Sequence, residues 1–252
     1  MNKLLLSLTT LSLCVSASFA SLFTNGGFED GTFNGWTLSQ GYNYSGTGTI
    51  VWTPGDNGLN SIISASSALM SGQTVDVNPY NGTYMARLDN LEGNYHASKI
   101  SQTATVGVED IGDTLYVNWG AMLVEPENVH PSTDCPYFGI SVLKNGVAIQ
   151  NFTADASAHD VSWSVAGNLY GTAWYKQNTW SYDLNSFSVD DQITVEMFVA
   201  DCSWGGHGGA AFLDGIGTKY IPPENVPEPA TLSLFGLGLL GLAGMRSIRK
   251  RK

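Results

Sequence analysis

The chain has 252 residues, with 22 acidic against 11 basic side chains and a formal net charge of −11 at pH 7. Between its two ends, over 21–226, the imbalance deepens: five cations (Arg87, Lys99, Lys144, Lys176, Lys219) face 21 carboxylates, since only Glu228 lies beyond, and the net is −16. So few cations exclude nucleic acid as a partner, because phosphate binding is built from Lys and Arg; the acidity suits an exported solute or a holder of divalent cations.

At the N-terminus, Lys3 precedes the apolar run Leu4 to Val15, and Ser18-Phe19-Ala20 places small residues at the two positions that signal peptidase reads. Residues 1–20 are therefore expected to be a signal peptide cut before Ser21. A lipoprotein reading through Cys14 fails on Leu13, which is too large for the position before the cysteine. The stretch 21–221 has the size of one large all-β domain.

Along that domain the hydrophobic period is two, with short β-rich runs bounded by Gly, Asn, Asp and Ser. Strands are predicted at Gly48–Thr53, Thr83–Asp89, Ser98–Val106, Thr114–Val124, Tyr137–Leu143, Val147–Thr153, Thr179–Leu184, Asp191–Val199 and Gly209–Ile216. Lys144-Asn145-Gly146-Val147 is the clearest hairpin, since Asn-Gly favours a type I′ turn. The stretch Ser39–Asn81, rich in Gly, Ser, Thr and Asn, reads as long surface loops or an insertion, and there is no internal repeat. The predicted fold class is all-β, an antiparallel β-sandwich of jelly-roll type. Residues 222–226, opening on Pro222-Pro223-Glu224, read as a stiff spacer.

Beyond the spacer, Pro227-Glu228-Pro229 leads into fourteen uncharged residues, Leu232 to Met245, and then Arg246, Arg249, Lys250, Arg251 and Lys252. At ~1.5 Å per residue a helix there is ~21 Å long, a short transmembrane helix against a hydrocarbon core of ~30 Å. The basic cluster belongs on the cytoplasmic side, which puts everything before Pro227 across the membrane. Taken together, residues 227–252 resemble the PEP-CTERM sorting signal of Gram-negative bacteria. The resemblance implies export through the inner membrane, cutting near the motif by an exosortase, and delivery to the cell surface or extracellular matrix, with the membrane met only transiently. A simple uncut C-terminal anchor is the alternative.

Cys135 and Cys202 survive removal of the signal peptide, and in an oxidising compartment a disulfide between them is expected. A zinc site is the rival reading, although no Cys-x-x-Cys or paired-His spacing accompanies them.

Two motifs at opposite ends of the domain sharpen its class: Asn25-Gly26-Gly27-Phe28-Glu29-Asp30-Gly31 with Gly35-Trp36, and Ala211-Phe212-Leu213-Asp214-Gly215-Ile216. This pairing resembles the galactose-binding-like jelly roll of carbohydrate-binding modules. The resemblance implies a structural calcium where first and last strands meet, with carboxylates from Glu29 and Asp214 and carbonyls near Asn25 and Gly27 as oxygen ligands. The alternative is a plain turn with both acids solvated or paired with a cation.

For a sugar, the resource is aromatic, because the apolar face of a pyranose stacks on a ring. Trp36 and Trp119 read as core, whereas Trp52, Trp163, Trp174 and Trp204 lie in or beside polar Gly/Ser/Asn-rich segments and are the candidates for exposure. His207, within Gly-Gly-His-Gly-Gly, reads as a structural histidine bonding a neighbouring strand or the Asp201 carboxylate; His96, His130 and His159 show no ligand spacing. Gly-x-Ser-x-Gly, His-Glu-x-x-His and the phosphate loop are missing from the mature domain, and no carboxylate pair declares a glycosidase. The PEP-CTERM resemblance implies exosortase-processed export and association with exopolysaccharide in biofilm or floc formation, and the missing motifs add the expectation of no enzymatic activity. A structural or adhesive protein acting through protein contacts and calcium is the alternative, and a secreted polysaccharide hydrolase a third.

Overall fold

The structure is a computed structural model, and it describes residues 22–45, 49–64, 69–70, 72–89, 91, 94–126 and 130–219. The signal peptide, the spacer, and the apolar span with its basic end lie outside the described residues. Within them no helix is long and apolar enough to cross a membrane.

Twelve strands form: β1 (Thr37–Tyr42), β2 (Thr53–Pro54), β3 (Ser61–Ser64), β4 (Tyr84–Asp89), β5 (His96–Thr105), β6 (Thr114–Glu125), β7 (Tyr137–Lys144), β8 (Val147–Asp155), β9 (Ser164–Asn168), β10 (Thr172–Asp183), β11 (Gln192–Ala200) and β12 (Gly209–Gly217). They pair antiparallel into two six-stranded sheets, in the orders β2-β1-β5-β11-β7-β8 and β3-β4-β12-β6-β10-β9. Alternate residues of the two sheets meet in one core: Ile100, Phe138, Ile140, Val195 and Met197 from the first, Leu88, Leu115, Val117, Trp119, Leu123 and Leu213 from the second. The predicted all-β antiparallel sandwich is what the chain forms. The β7–β8 hairpin turns at Asn145 and Gly146, with φ of 50° and 80°, the left-handed pair that a type I′ turn requires.

The stretch Ser39–Asn81 is not a set of surface loops. It contains β1, β2 and β3, and its irregular parts cover the outer faces of both sheets. Ile50 is buried with Ala97, Tyr137 and Ala200 outside the first sheet. Met70 and Val77 are buried with Met85, Met122, Val124, Ala210 and Phe212 outside the second. That is why β6 is buried along almost its whole length: one face serves the core and the other the cover, and a strand buried on both faces reads as an unbroken apolar run. The strand predicted over Gly48–Thr53 reduces to Thr53–Pro54, while β1 escapes the apolar pattern because its buried positions are Ser39 and Gly41 rather than large apolar residues. A Cβ on Gly41 would sit 2.9 Å from the Val51 carbonyl oxygen, so the cover lies on β1 only because that position has no side chain.

Candidate functional sites at two ends of one strand

β12 runs between two clusters of polar chemistry. Its far end carries Asp214, and its beginning comes directly after the loop that holds Cys202 and His207.

At the Asp214 end, the N-terminal segment folds back on itself. Asn25 and Phe28 adopt positive φ, 50° and 58°, and the Asn25 carbonyl accepts from Phe28 N at 3.1 Å and Trp36 Nε1 at 3.1 Å. Phe28 is buried and stacks on Trp36 with centroids 5.2 Å apart. Ile216 N donates to the Gly26 carbonyl at 3.0 Å, and a Cβ on Gly26 would collide with the Ile216 carbonyl oxygen, so the first segment and last strand close only through a glycine. Glu29 and Asp214 then flank Gly27: a Cβ there would lie 3.8 Å from both Asp214 Oδ1 and Glu29 Cγ. Both Glu29 oxygens accept from Thr83 N at 3.0 Å, and Oε1 also from Tyr84 N at 3.0 Å. Asp214 Oδ2 accepts from Asn81 N at 2.9 Å, whereas its Oδ1 is buried with no hydrogen-bond partner among the described residues. Burial, with the Glu29 charge adding to it, pushes the Asp214 carboxyl up to about 7.

An orphaned buried carboxylate oxygen beside a second carboxylate suits a hard divalent cation, whose charge removes the mutual repulsion. Glu29, Gly27 and Asp214 therefore fit the expected calcium ligands. Asn25 does not: its carbonyl is committed to Phe28 and Trp36, and its side-chain amide donates to Asp30 Oδ1 at 2.8 Å and the Thr32 carbonyl at 2.9 Å. The same pair is poorly placed for glycoside hydrolysis, because Asp214 is 3% exposed and a general acid has to be reached by the glycosidic oxygen.

At the other end, the loop from β11 to β12 is organised by Asp201, which is buried. Its carboxylate accepts from Tyr95 N at 2.7 Å and Cys202 N at 2.6 Å, and its carbonyl from Asn43 Nδ2 at 2.7 Å. Burial pushes this carboxyl up to about 6. Of the two partners expected for His207, the bond to Asp201 is not made; its ring instead hydrogen-bonds the backbone at Tyr170, between β9 and β10, and its Nδ1 lies 3.8 Å from Cys202 Sγ. Gly206 N and His207 N both donate to Cys202 Sγ at 3.3 Å. Burial lowers the His207 pKa, and His130 lowers it further. His130, from the loop between β6 and β7, stands edge-on to His207 at 4.8 Å and stacks on Trp204 at 4.7 Å.

The disulfide expected between Cys135 and Cys202 is not formed; both are free, buried thiols. Cys202 Sγ is turned to the Gly206 and His207 amides, and Cys135 Sγ to the Pro131 carbonyl at 3.7 Å. Burial pushes the Cys135 thiol up to about 11 and raises that of Cys202 as well, so both favour the protonated form.

A row of aromatic side chains continues from this loop. A Cβ on Gly205 (φ 72°) would press on the Tyr95 ring at 2.6 Å. Tyr95 meets Tyr44 at 5.2 Å, Tyr44 stacks on Tyr42 at 5.5 Å with planes 5° apart, and Tyr42 meets His96 at 4.8 Å. Tyr44 is 67% exposed, Trp204 56% and Tyr42 47%. Of the four tryptophans singled out in the sequence, only Trp204 is exposed in this way. Trp163 is buried, Trp52 packs on Phe198 at 5.9 Å, and Trp174 stacks on His159 at 3.8 Å while donating to Glu125 at 2.8 Å. The tyrosines escape the sequence pattern because the segment carrying Tyr42 and Tyr44 reads as loop; the signal available was the aromatic alternation of Tyr42-Asn43-Tyr44.

A family profile described as the PEP-CTERM protein-sorting motif matches residues 225–250. The chain carries a PEP-CTERM sorting motif. Comparison with curated proteins gives no match for this chain. Among solved structures, its described fold is similar to TmCBM61 in complex with β-1,4-galactotriose (14% identity, 79% of this chain and 97% of that one, TM-score 0.42). It is similar also to a cyclase from Fischerella sp. TAU (15%, 82% and 100%, TM-score 0.41) and to the CBM27-1 module of Caldicellulosiruptor saccharolyticus in complex with mannohexaose (16%, 77% and 94%, TM-score 0.37). At these identities the likeness is one of chain path alone.

Proposed function

We propose that this PEP-CTERM chain is exported from a Gram-negative cell, freed of 1–20 by signal peptidase and of its 227–252 tail by an exosortase, and left at the cell surface or in the matrix. There its single domain, 21–221, associates with extracellular polysaccharide, as a binding protein rather than an enzyme. The observation that carries the binding half is the tyrosine row Tyr42, Tyr44 and Tyr95, exposed at Tyr42 and Tyr44 and half-buried at Tyr95, beside the loop that carries the exposed Trp204. Successive rings offer apolar faces to successive pyranoses, and the net negative charge of the chain favours a neutral glycan over an anionic one. Calcium held by Glu29 and Asp214 at the other end serves stability in this reading, by joining the first segment to the last strand.

Two measurements test it. Affinity electrophoresis of the full chain through gels containing neutral polysaccharides should show saturable retardation, with Tyr44→Ala and Trp204→Ala each weakening binding about 5–10-fold, the worth of one stacked ring. Equal retardation of the double variant would remove the aromatic row from the reading. Mass spectrometry of the exported protein should find a C-terminus upstream of Leu232, and an intact Lys252 on most molecules rules out processing.

A further inference from the structure

We infer that His130, Cys202 and His207 form a zinc site. Their ligand atoms all lie within 4.8 Å of one another. One ion bonded at about 2.0–2.3 Å to each needs them about 3.5 Å apart, so the loops must draw in by roughly 1 Å. Three observations make the cluster more than a chance neighbourhood. His130 Nδ1 is buried with no hydrogen-bond partner among the described residues, and a buried imidazole nitrogen without a partner is a standing cost unless something else satisfies it. The Cys202 sulfur already receives two backbone N–H groups, from Gly206 and His207, at 3.3 Å each; these donors work against the burial that favours the thiol and would help hold the sulfur as a thiolate beside a bound cation. The carboxylate of Asp201, accepting from Cys202 N at 2.6 Å, and the His207 carbonyl, accepting from it at 2.9 Å, hold the loop that presents both ligands, which is the supporting shell a metal site requires.

The donor set selects the metal. One sulfur and two imidazoles are borderline-soft, which favours zinc over calcium or magnesium. Three protein ligands leave the fourth tetrahedral position to water or to an oxygen of a bound molecule, and the exposed Trp204 ring stacks on one of the three, His130. This site stands apart from the sugar reading and from the Glu29–Asp214 pair: from His207 to Asp214 is seven residues of extended chain, roughly 23 Å.

The test uses the full chain, purified with reductant, stripped with a chelator and titrated with zinc alone against a chromophoric competitor. One zinc per chain is expected. His130→Ala and Cys202→Ser should each weaken uptake about 100-fold or more, at least the loss seen when a supporting residue is removed. Cobalt in place of zinc should show a thiolate charge-transfer band that Cys202→Ser abolishes. Since His130 sits on a loop, His130→Ala should leave the melting temperature of the metal-free protein unchanged, which separates a lost ligand from a lost fold. Three results overturn the assignment: no saturable zinc uptake, uptake unaltered in both variants, or Cys202 disulfide-bonded to Cys135 in exported protein isolated without reductant.

Discussion

Asp214→Asn is expected to stabilise the calcium-free protein at neutral pH and to destabilise the calcium-loaded one. The Asp214 carboxyl is pushed from 3.8 up to about 7 by burial and by Glu29, so the folded chain holds this proton where the unfolded chain has released it. Folded stability from this group is intact below about pH 4, falls as pH rises between about 4 and 7, and is fully lost above. At 1.36 kcal/mol per pH unit the loss amounts to as much as about 4 kcal/mol. Asp201, pushed up to about 6, acts in the same direction over a narrower window. The Asn side chain has the same shape, keeps an oxygen for the Asn81 amide and never ionises, so in the presence of EGTA the variant should melt higher than the parent at pH 8 and alike at pH 4. With calcium the order should reverse, because the parent gains an ion against its buried charge and the variant has lost a carboxylate ligand. Melting curves at pH 4, 6 and 8, with EGTA and with calcium, decide the matter. A parent whose stability ignores both pH and calcium leaves no role for an ion at this corner.

Phe28→Ala is expected to cost about 3–5 kcal/mol, the range for truncating a buried phenylalanine. Phe28 is fully buried, packs its ring on Trp36, and stands at the point where the first segment meets the core. Its backbone is held at φ 58°, a conformation equally unfavourable for alanine, so the loss is one of packing without compensating relief of strain. The change should lower the urea midpoint with the slope retained, and red-shift the tryptophan emission as Trp36 becomes wet. Glu29 is the next residue along the chain, and the variant should also lose the calcium response. A midpoint within a few tenths of a molar of the parent contradicts this packing.

The fold was legible wherever large apolar residues alternate. β4 to β8, β11 and β12 all fall close to their predicted bounds, and Asn145-Gly146 turns as its residues require. Legibility failed where burial is achieved by small residues, as at Ser39 and Gly41 of β1, and where polar residues occupy a long strand. β10 is paired along its whole length with β6, from Thr172 opposite Glu125 to Asp183 opposite Thr114, yet only its second half is predicted, as Thr179–Leu184, because Lys176-Gln177-Asn178 interrupts the apolar alternation before it. β9, an edge strand with Gly167 inside it, gave no signal either. The covers over the sheet faces were invisible for a different reason: Ile50, Met70 and Val77 are single apolar residues in polar stretches, and only the assembled sheet shows what each of them seals.

The sites divide in the same way. That Glu29 and Asp214 come together was legible because each stands within a local motif, although their approach depends on Gly26 and Gly27 admitting backbone. The His130 cluster had no such motif, since His130 comes from one loop and Cys202 and His207 from another, and ligand spacing along the chain speaks only for residues on the same turn. The disulfide expectation rested on counting thiols; the local amides that hold Cys202 Sγ are a property of the Ser203–His207 turn.

β12 belongs to both ends of the molecule. All nine of its residues are buried, and through Ala210–Leu213 it is paired on both sides, to β4 and β6, so its two ends are joined through the middle of the second sheet. An ion bound at either corner is therefore linked to the same cooperative transition and adds RT ln(1 + [L]/Kd) to it, about 2.7 kcal/mol at a hundred times the dissociation constant. Under the proposed calcium binding and export, the chain would fold less stably in a calcium-poor cytoplasm than at an ion-rich exterior, and mass action across the membrane would supply a direction to folding that the polypeptide does not carry by itself.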